Sequence, residues 1–117
     1  KQPVFQEYGD GLSKSRLKQV IEYIRANIDQ DLSLEKLAEL VQMSTFYFAR
    51  LFKQSTGYTP HQYIMRCRIE QAEYLLKQRN LSIVEICQQV GFQSQSHFTQ
   101  LFRKYNGITP KKYQESF

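Results

Sequence analysis

The chain carries one pattern twice. Residues 34 to 63 recur as residues 83 to 113, with one residue added in the middle. The paired positions are Leu37 with Ile86, Ala38 with Cys87, Val41 with Val90, Met43 with Phe92 and Ser44 with Ser94. They continue with Phe48 and Phe98, Leu51 and Leu101, Phe52 and Phe102, Gly57 and Gly107, Thr59 and Thr109, Pro60 and Pro110, and Tyr63 and Tyr113. What matches is apolar, small or turn-forming, and what differs lies between. Such a repeat keeps a packing scheme while it varies an exposed face. A chain of this kind has to build two similar modules that present two different surfaces.

The periodicity is helical throughout, and no strand pattern competes. Leu17, Val20, Ile21, Ile24 and Ile28 recur at helical spacing and predict a first amphipathic helix. Ser33 is placed to cap a short second helix, and Ser44 a third that runs to Gly57, a residue suited to a left-handed C-terminal turn. Thr59, Pro60 and Gln62 open a fourth with a capping box, and that helix continues to about Arg79. Ser82 with Glu85 opens a fifth, Ser94 a sixth ending at Gly107, and Thr109 with Pro110 a seventh. In domain terms, residues 1 to 12 read as a linker or tail. Residues 13 to 117 read as one bipartite domain, with a first lobe over 13 to 58, a linking helix over 59 to 79 and a second lobe over 80 to 117.

Charge follows the same division. There is no Asp or Glu from Ser44 to Ile69, where Arg50, Lys53, Arg66 and Arg68 lie, and none from Ile86 to Gln114, where Arg103, Lys104, Lys111 and Lys112 lie. The three remaining stretches are each net −1, so the net charge of +5 comes entirely from these two windows. Clustered positive charge in register with a repeat points to a polyanion, because only a local concentration of charge steers one.

At 117 residues the chain fits one domain by size. No apolar run approaches the roughly 18 residues that a membrane span needs, so no membrane partner is expected. Cys67 and Cys87 form neither a CxxC nor a disulfide framework, and Cys87 stands where the first repeat has Ala38, which marks it as core filling in a reducing cytoplasm. His61, Cys67, Cys87 and His97 lack metal-ligand spacing, and no metal or cofactor is expected. Tyr58, Tyr63, Tyr74, Tyr105 and Tyr113 raise base stacking on single strands, but two of them sit at repeated core positions. No nucleophile-base arrangement or paired-carboxylate site appears, so the chain reads as a binding module and not an enzyme. The chain begins at Lys1 without a Met, which reads as a piece of something longer.

A short helix, a tight turn and a second helix ending in Gly is the helix-turn-helix arrangement. Ala38 and Cys87 are small enough for close helix approach. Gly91 suits a turn with positive φ, where the first repeat has the less comfortable Gln42. Two such units in tandem, each followed by GxTP, predict an all-α fold of about seven helices: two helix-turn-helix subdomains joined by a long central helix.

The run from Ser33 to Tyr113, with Phe48, Leu51-Phe52-Lys53, Gly57, Pro60, Arg68, Ala72 and Leu75-Leu76, then Ile86, Val90-Gly91-Phe92, Phe98, Leu101-Phe102-Arg103, Gly107 and Thr109-Pro110, resembles the DNA-binding domain of the AraC/XylS transcription regulators. The resemblance covers about 100 residues. It implies two recognition helices that enter successive major grooves, transcription regulation with activation the expected outcome, RNA polymerase as a partner, and an upstream regulatory domain that this chain lacks. Where that family commonly has an Arg after the final Tyr, this chain has Gln114.

Helix geometry selects the reading residues without reference to the family. At 100° per residue, Phe48, Leu51, Phe52 and Ser55 point to one side of the third helix, while Thr45, Phe46, Ala49, Arg50 and Lys53 occupy the opposite arc. In the sixth helix the inner set is Phe98, Leu101, Phe102 and Tyr105. The outer set is Gln95, Ser96, Thr99, Gln100 and Arg103, and Tyr47 and His97 fall on the boundary. Arg50 suits a bidentate contact to guanine, with Thr45, Phe46 and Ala49 beside it for thymine methyls, and Gln95 and Gln100 suit adenine, flanked by Ser96 and Thr99. Phe46 has a second use open to it, docking against a neighbouring helix. Ser44, Lys53, Ser94, Arg103, Lys104 and Lys111 are assigned to phosphate. The expected function is sequence-specific binding of double-stranded DNA. The alternatives are the DNA-targeting segment of a larger enzyme, such as an alkylation-repair methyltransferase, or a helical protein-binding adaptor.

Overall fold

The computed structural model describes residues 11 to 117; most of the expected tail, residues 1 to 10, lies outside the described residues. Among the described residues there are seven helices: α1 (Lys14–Ala26), α2 (Leu34–Leu40), α3 (Thr45–Thr56), α4 (Pro60–Gln78), α5 (Ile83–Gln89), α6 (Gln95–Asn106) and α7 (Pro110–Glu115). Among the described residues there is no strand.

The ends of these helices are set by short-range chemistry. Hydroxyls of Ser33, Ser44, Ser82, Ser94 and Thr109 accept the backbone N–H of the residue three further on, which satisfies one of the donors a helix start leaves unpaired. The Ser82–Glu85 box closes in both directions, at 2.8 and 3.1 Å. Thr59 and Gln62 make the same exchange at the start of α4, at 3.0 and 3.2 Å. Ser13 caps α1 in the same way, which the sequence reading did not anticipate. Gly57 and Gly107 close α3 and α6 in the left-handed conformation, φ 84° and 79°.

Two helix boundaries differ from expectation. The first helix stops at Ala26 with Asn27 as its cap, so Ile28 continues the apolar spacing without being helical. The linking helix stops at Gln78, one residue early, and Arg79 takes φ 59°.

Contacts divide the chain into two units. Among the described residues, one takes residues 11–27 together with Leu32–Met65, and the other takes Ile28–Asp31 together with Arg66–Phe117. Helix α4 therefore contributes its first residues to one unit and the remainder to the other. In the first unit α2 packs on α3 over a core of Val20, Ile24, Leu37, Ala38, Phe48, Leu51 and Phe52. Leu12 joins it, buried, with its N–H donated to Ser55 Oγ at 2.8 Å. In the second unit α5 packs on α6 over Ile69, Ala72, Leu76, Ile86, Val90, Phe98 and Phe102.

The repeat is reproduced ring by ring. Phe48 and Phe52 lie 5.6 Å apart, and Tyr63 meets Phe52 edge-on at 5.4 Å. Phe98 and Phe102 lie 5.8 Å apart, and Tyr113 meets Phe102 edge-on at 5.2 Å. The tyrosines at the repeated positions are thus used for packing. Both turns are closed alike, with Met43 N–H donating to Ala38 O and Phe92 N–H to Cys87 O, each at 3.0 Å.

Candidate nucleic-acid interface

The two faces presented by α3 and α6 follow from what each helix buries. In α3 the residues Phe48, Leu51 and Phe52 are sequestered, which turns Phe46, Arg50 and Lys53 outward; Thr45 and Ala49 are half-buried at the edge of that arc. Phe46 is 76% exposed, so it does not dock against a neighbouring helix. Ala49 is less free than the wheel suggests. It forms part of the wall of an apolar cavity of about 270 Å³ with Leu37, Pro60, His61 and Ile64, all within the first unit.

In α6 the residues Phe98 and Phe102 are sequestered, and Gln95, Ser96, Gln100 and Arg103 are exposed, with Thr99 half-buried between them. Lys104 and Lys111 are exposed as well. Helices α3 and α6 each start at a serine whose Oγ accepts one N–H, from Tyr47 at 3.3 Å and from His97 at 3.2 Å. The hydroxyl hydrogens of Ser44 and Ser94 remain available to an anion, as do the first backbone N–H groups of each helix, which have no intrahelical acceptor. Helix starts of this kind favour phosphate through those donors and the helix dipole. Tyr47 and His97, the two boundary residues, both fall on the exposed side; the His97 ring stands edge-on to Phe92 at 5.4 Å.

Three residues behave differently from expectation. Arg68, counted among the charges of the first acid-free window, is buried at 8% exposure. Its guanidinium donates to Ile28 O at 3.1 Å and Gln30 O at 2.7 Å, so its charge faces inward. Burial pulls its pKa down, and Asp31 followed by Asp29 opposes that shift. Arg66 is half-exposed and lies 3.7 Å from Glu70. Tyr105, expected inside, is 40% exposed with the Arg66 guanidinium 5.8 Å from its ring centre. A wheel gives the direction of a side chain but not whether a neighbour covers it, and beside Tyr105 the neighbour is a cation.

Cys67 and Cys87 are both buried, and burial pushes the Cys87 thiol pKa up. Such a thiol is held in its unreactive form. Among the described residues no helix is long and apolar enough to cross a membrane.

Two capped helices, each exposing one face next to a packed aromatic ladder, define a tandem helix-turn-helix DNA-binding domain. Comparison with known proteins agrees. The family described as "Helix-turn-helix domain" matches residues 37–116. The chain is 34% identical to a transcriptional regulator with an AraC-type DNA-binding domain from Chromobacterium violaceum (TM-score 0.81, covering 87% of this chain and 91% of that one). It is 29% identical to the DNA-binding domain of the global transcriptional factor AdpA, solved with a target DNA (TM-score 0.82, covering 86% and 90%). It is also 30% identical to the HTH-type transcriptional activator RhaS of Mannheimia succiniciproducens, over 92% of this chain and 40% of that protein. The chain belongs to the AraC family of transcription regulators and is a DNA-binding domain of that family. It spans about a third of the length of the curated relatives it matches.

Proposed function

We propose that this domain binds duplex DNA sequence-specifically, with α3 and α6 reading two successive major grooves, and that it serves transcription activation. The observation that carries the reading is the pairing of two capped helices whose exposed arcs correspond position by position yet carry different chemistry, both lying in acid-free stretches of sequence. Arg50 reads a guanine through O6 and N7, and Thr45, Phe46 and Ala49 lie alongside for thymine methyls. Gln95 and Gln100 read adenines, assisted by Ser96 and Thr99. Ser44, Lys53, Ser94, Arg103, Lys104 and Lys111 hold phosphates, which fix register without reading sequence.

The 19 residues of α4 extend about 28 Å along the helix axis, close to the roughly 34 Å between major grooves on one face of B-DNA. That length supports one chain serving both grooves. Activation is the favoured outcome because RhaS, a relative, is named an activator. It implies contact with RNA polymerase and control by a further regulatory domain. Two buried cysteines that form neither a CxxC nor a disulfide framework in the sequence suit a reducing cytoplasm.

A salt titration of binding tests the reading. Affinity for random duplex should fall linearly on a log–log plot with salt as phosphates release counterions, and Lys53→Ala should make the slope shallower by about 1. Binding to acidic protein in preference to duplex DNA at moderate salt would instead support an adaptor.

A further inference from the structure

The two turns of the repeat differ in one respect that the reading surfaces do not explain. In the first turn Gln42 takes φ 57° and is exposed; in the second the same place is held by Gly91 at φ 93°. A Cβ added to Gly91 would collide with the carbonyl oxygen of Ile28 and press on Arg68 Nε and Cζ at 2.9 and 3.0 Å. Glycine is therefore needed here for close approach as well as for the sign of φ. What approaches is the Ile28–Asp31 connector, and what holds that connector is Arg68, whose Nε and Nη2 donate to Ile28 O and Gln30 O. Three residues from the Gly91 turn, Ser94 starts α6.

We propose that Arg68 is a positioning residue for the second reader: its fork clamps the 28–31 connector against α4, and the connector seats the Gly91 turn that aims α6. The inference rests on the reading of α6 as a base-contacting helix. A planar guanidinium is suited to the task because its donors are fixed in direction, so two carbonyls are held at once; an ammonium offers a single point of charge and cannot reproduce that geometry. Asp31 and Asp29 lie close enough to favour the charged form that the clamp requires. Recognition depends on holding reading residues to within about half an ångström, so a loosened turn damages reading before it damages folding.

Arg68→Lys is the main test, because it keeps the charge and is the variant best able to fold; Gly91→Ala attacks the same seat from the other side. Two readouts are taken on variants shown by thermal melting to be folded. The first is the amide NMR spectrum of the free domain, in which resonances of residues 91 to 97 should shift on Arg68→Lys. The second is binding selection on random duplexes, in which preference should fall at the element read by α6 and persist at the element read by α3. Arg68→Lys and Gly91→Ala together should lose little more than either alone, since both release the same carbonyl. Unshifted resonances, equal loss at both elements, or fully additive losses would overturn the proposal. Gln95→Ala and Gln100→Ala separate its failure from that of the underlying reading. If they leave both elements unchanged while Arg68→Lys shifts the turn, the base-reading assignment of α6 fails and the clamp stands.

Discussion

Arg50 and Lys53 are one turn apart on the same exposed arc of α3 and carry the same charge, yet they are assigned opposite roles. Arg50→Ala should cost roughly 1 to 3 kcal/mol on the selected site and relax preference at one position, whereas Lys53→Ala should weaken all sequences alike. Titration of each variant against selected and scrambled duplexes checks this, and equal losses for Arg50→Ala on both would remove it as a base reader. The same contrast holds for stability in α6. Phe98 is fully buried between Phe92 and Phe102, so Phe98→Ala should lower unfolding free energy by about 3 to 5 kcal/mol, while Thr99→Ala should stay within about 1. An unchanged melting midpoint for Phe98→Ala would contradict the packing described. These side chains are legible in the sequence because a repeat and a helical wheel together fix what faces inward. Arg68 was not, because a count of charges says nothing of direction, and its carbonyl partners lie some forty residues away in the chain. Gly91 was legible as a turn residue, but the close approach of Ile28 that forbids a side chain was not.

At the scale of the helix, the repeated devices are the caps. Ser82→Ala removes the acceptor for Glu85 N–H and breaks a box closed in both directions, and should cost about 0.5 to 2 kcal/mol in a denaturant melt. A loss below a few tenths would show that α5 is held by its packing on α6 alone. In the first turn the opposite change is informative. Gln42 sits at φ 57° and is exposed, so Gln42→Gly should raise stability, by up to about 1 kcal/mol, by relieving a left-handed conformation that a Cβ disfavours. A fall in the melting temperature would mean that the glutamine side chain contributes more than its backbone costs. Capping was almost wholly readable because it depends on residues three apart in sequence. The end of α1 was not, because Ile28 keeps the helical spacing of Ile24 while serving the connector, and periodicity alone cannot separate those two uses.

For the whole molecule, the two exposed arcs make unlike demands on DNA. On the proposed assignment Arg50, with its apolar neighbours, reads different bases from Gln95 and Gln100, so a single chain using both has no reason to prefer a palindrome. The tandem helix-turn-helix arrangement could be taken from the internal repeat. The placement of the two readers on one duplex could not, since it depends on geometry that no local pattern encodes. Selection of bound sites from a random duplex library is the most direct test of the central claim. It should return an asymmetric site with two dissimilar elements about 10 base pairs apart, one containing guanine for Arg50 and the other adenine for Gln95 and Gln100. No enrichment at all, or a palindrome with identical halves, would contradict the account of two different readers on one chain.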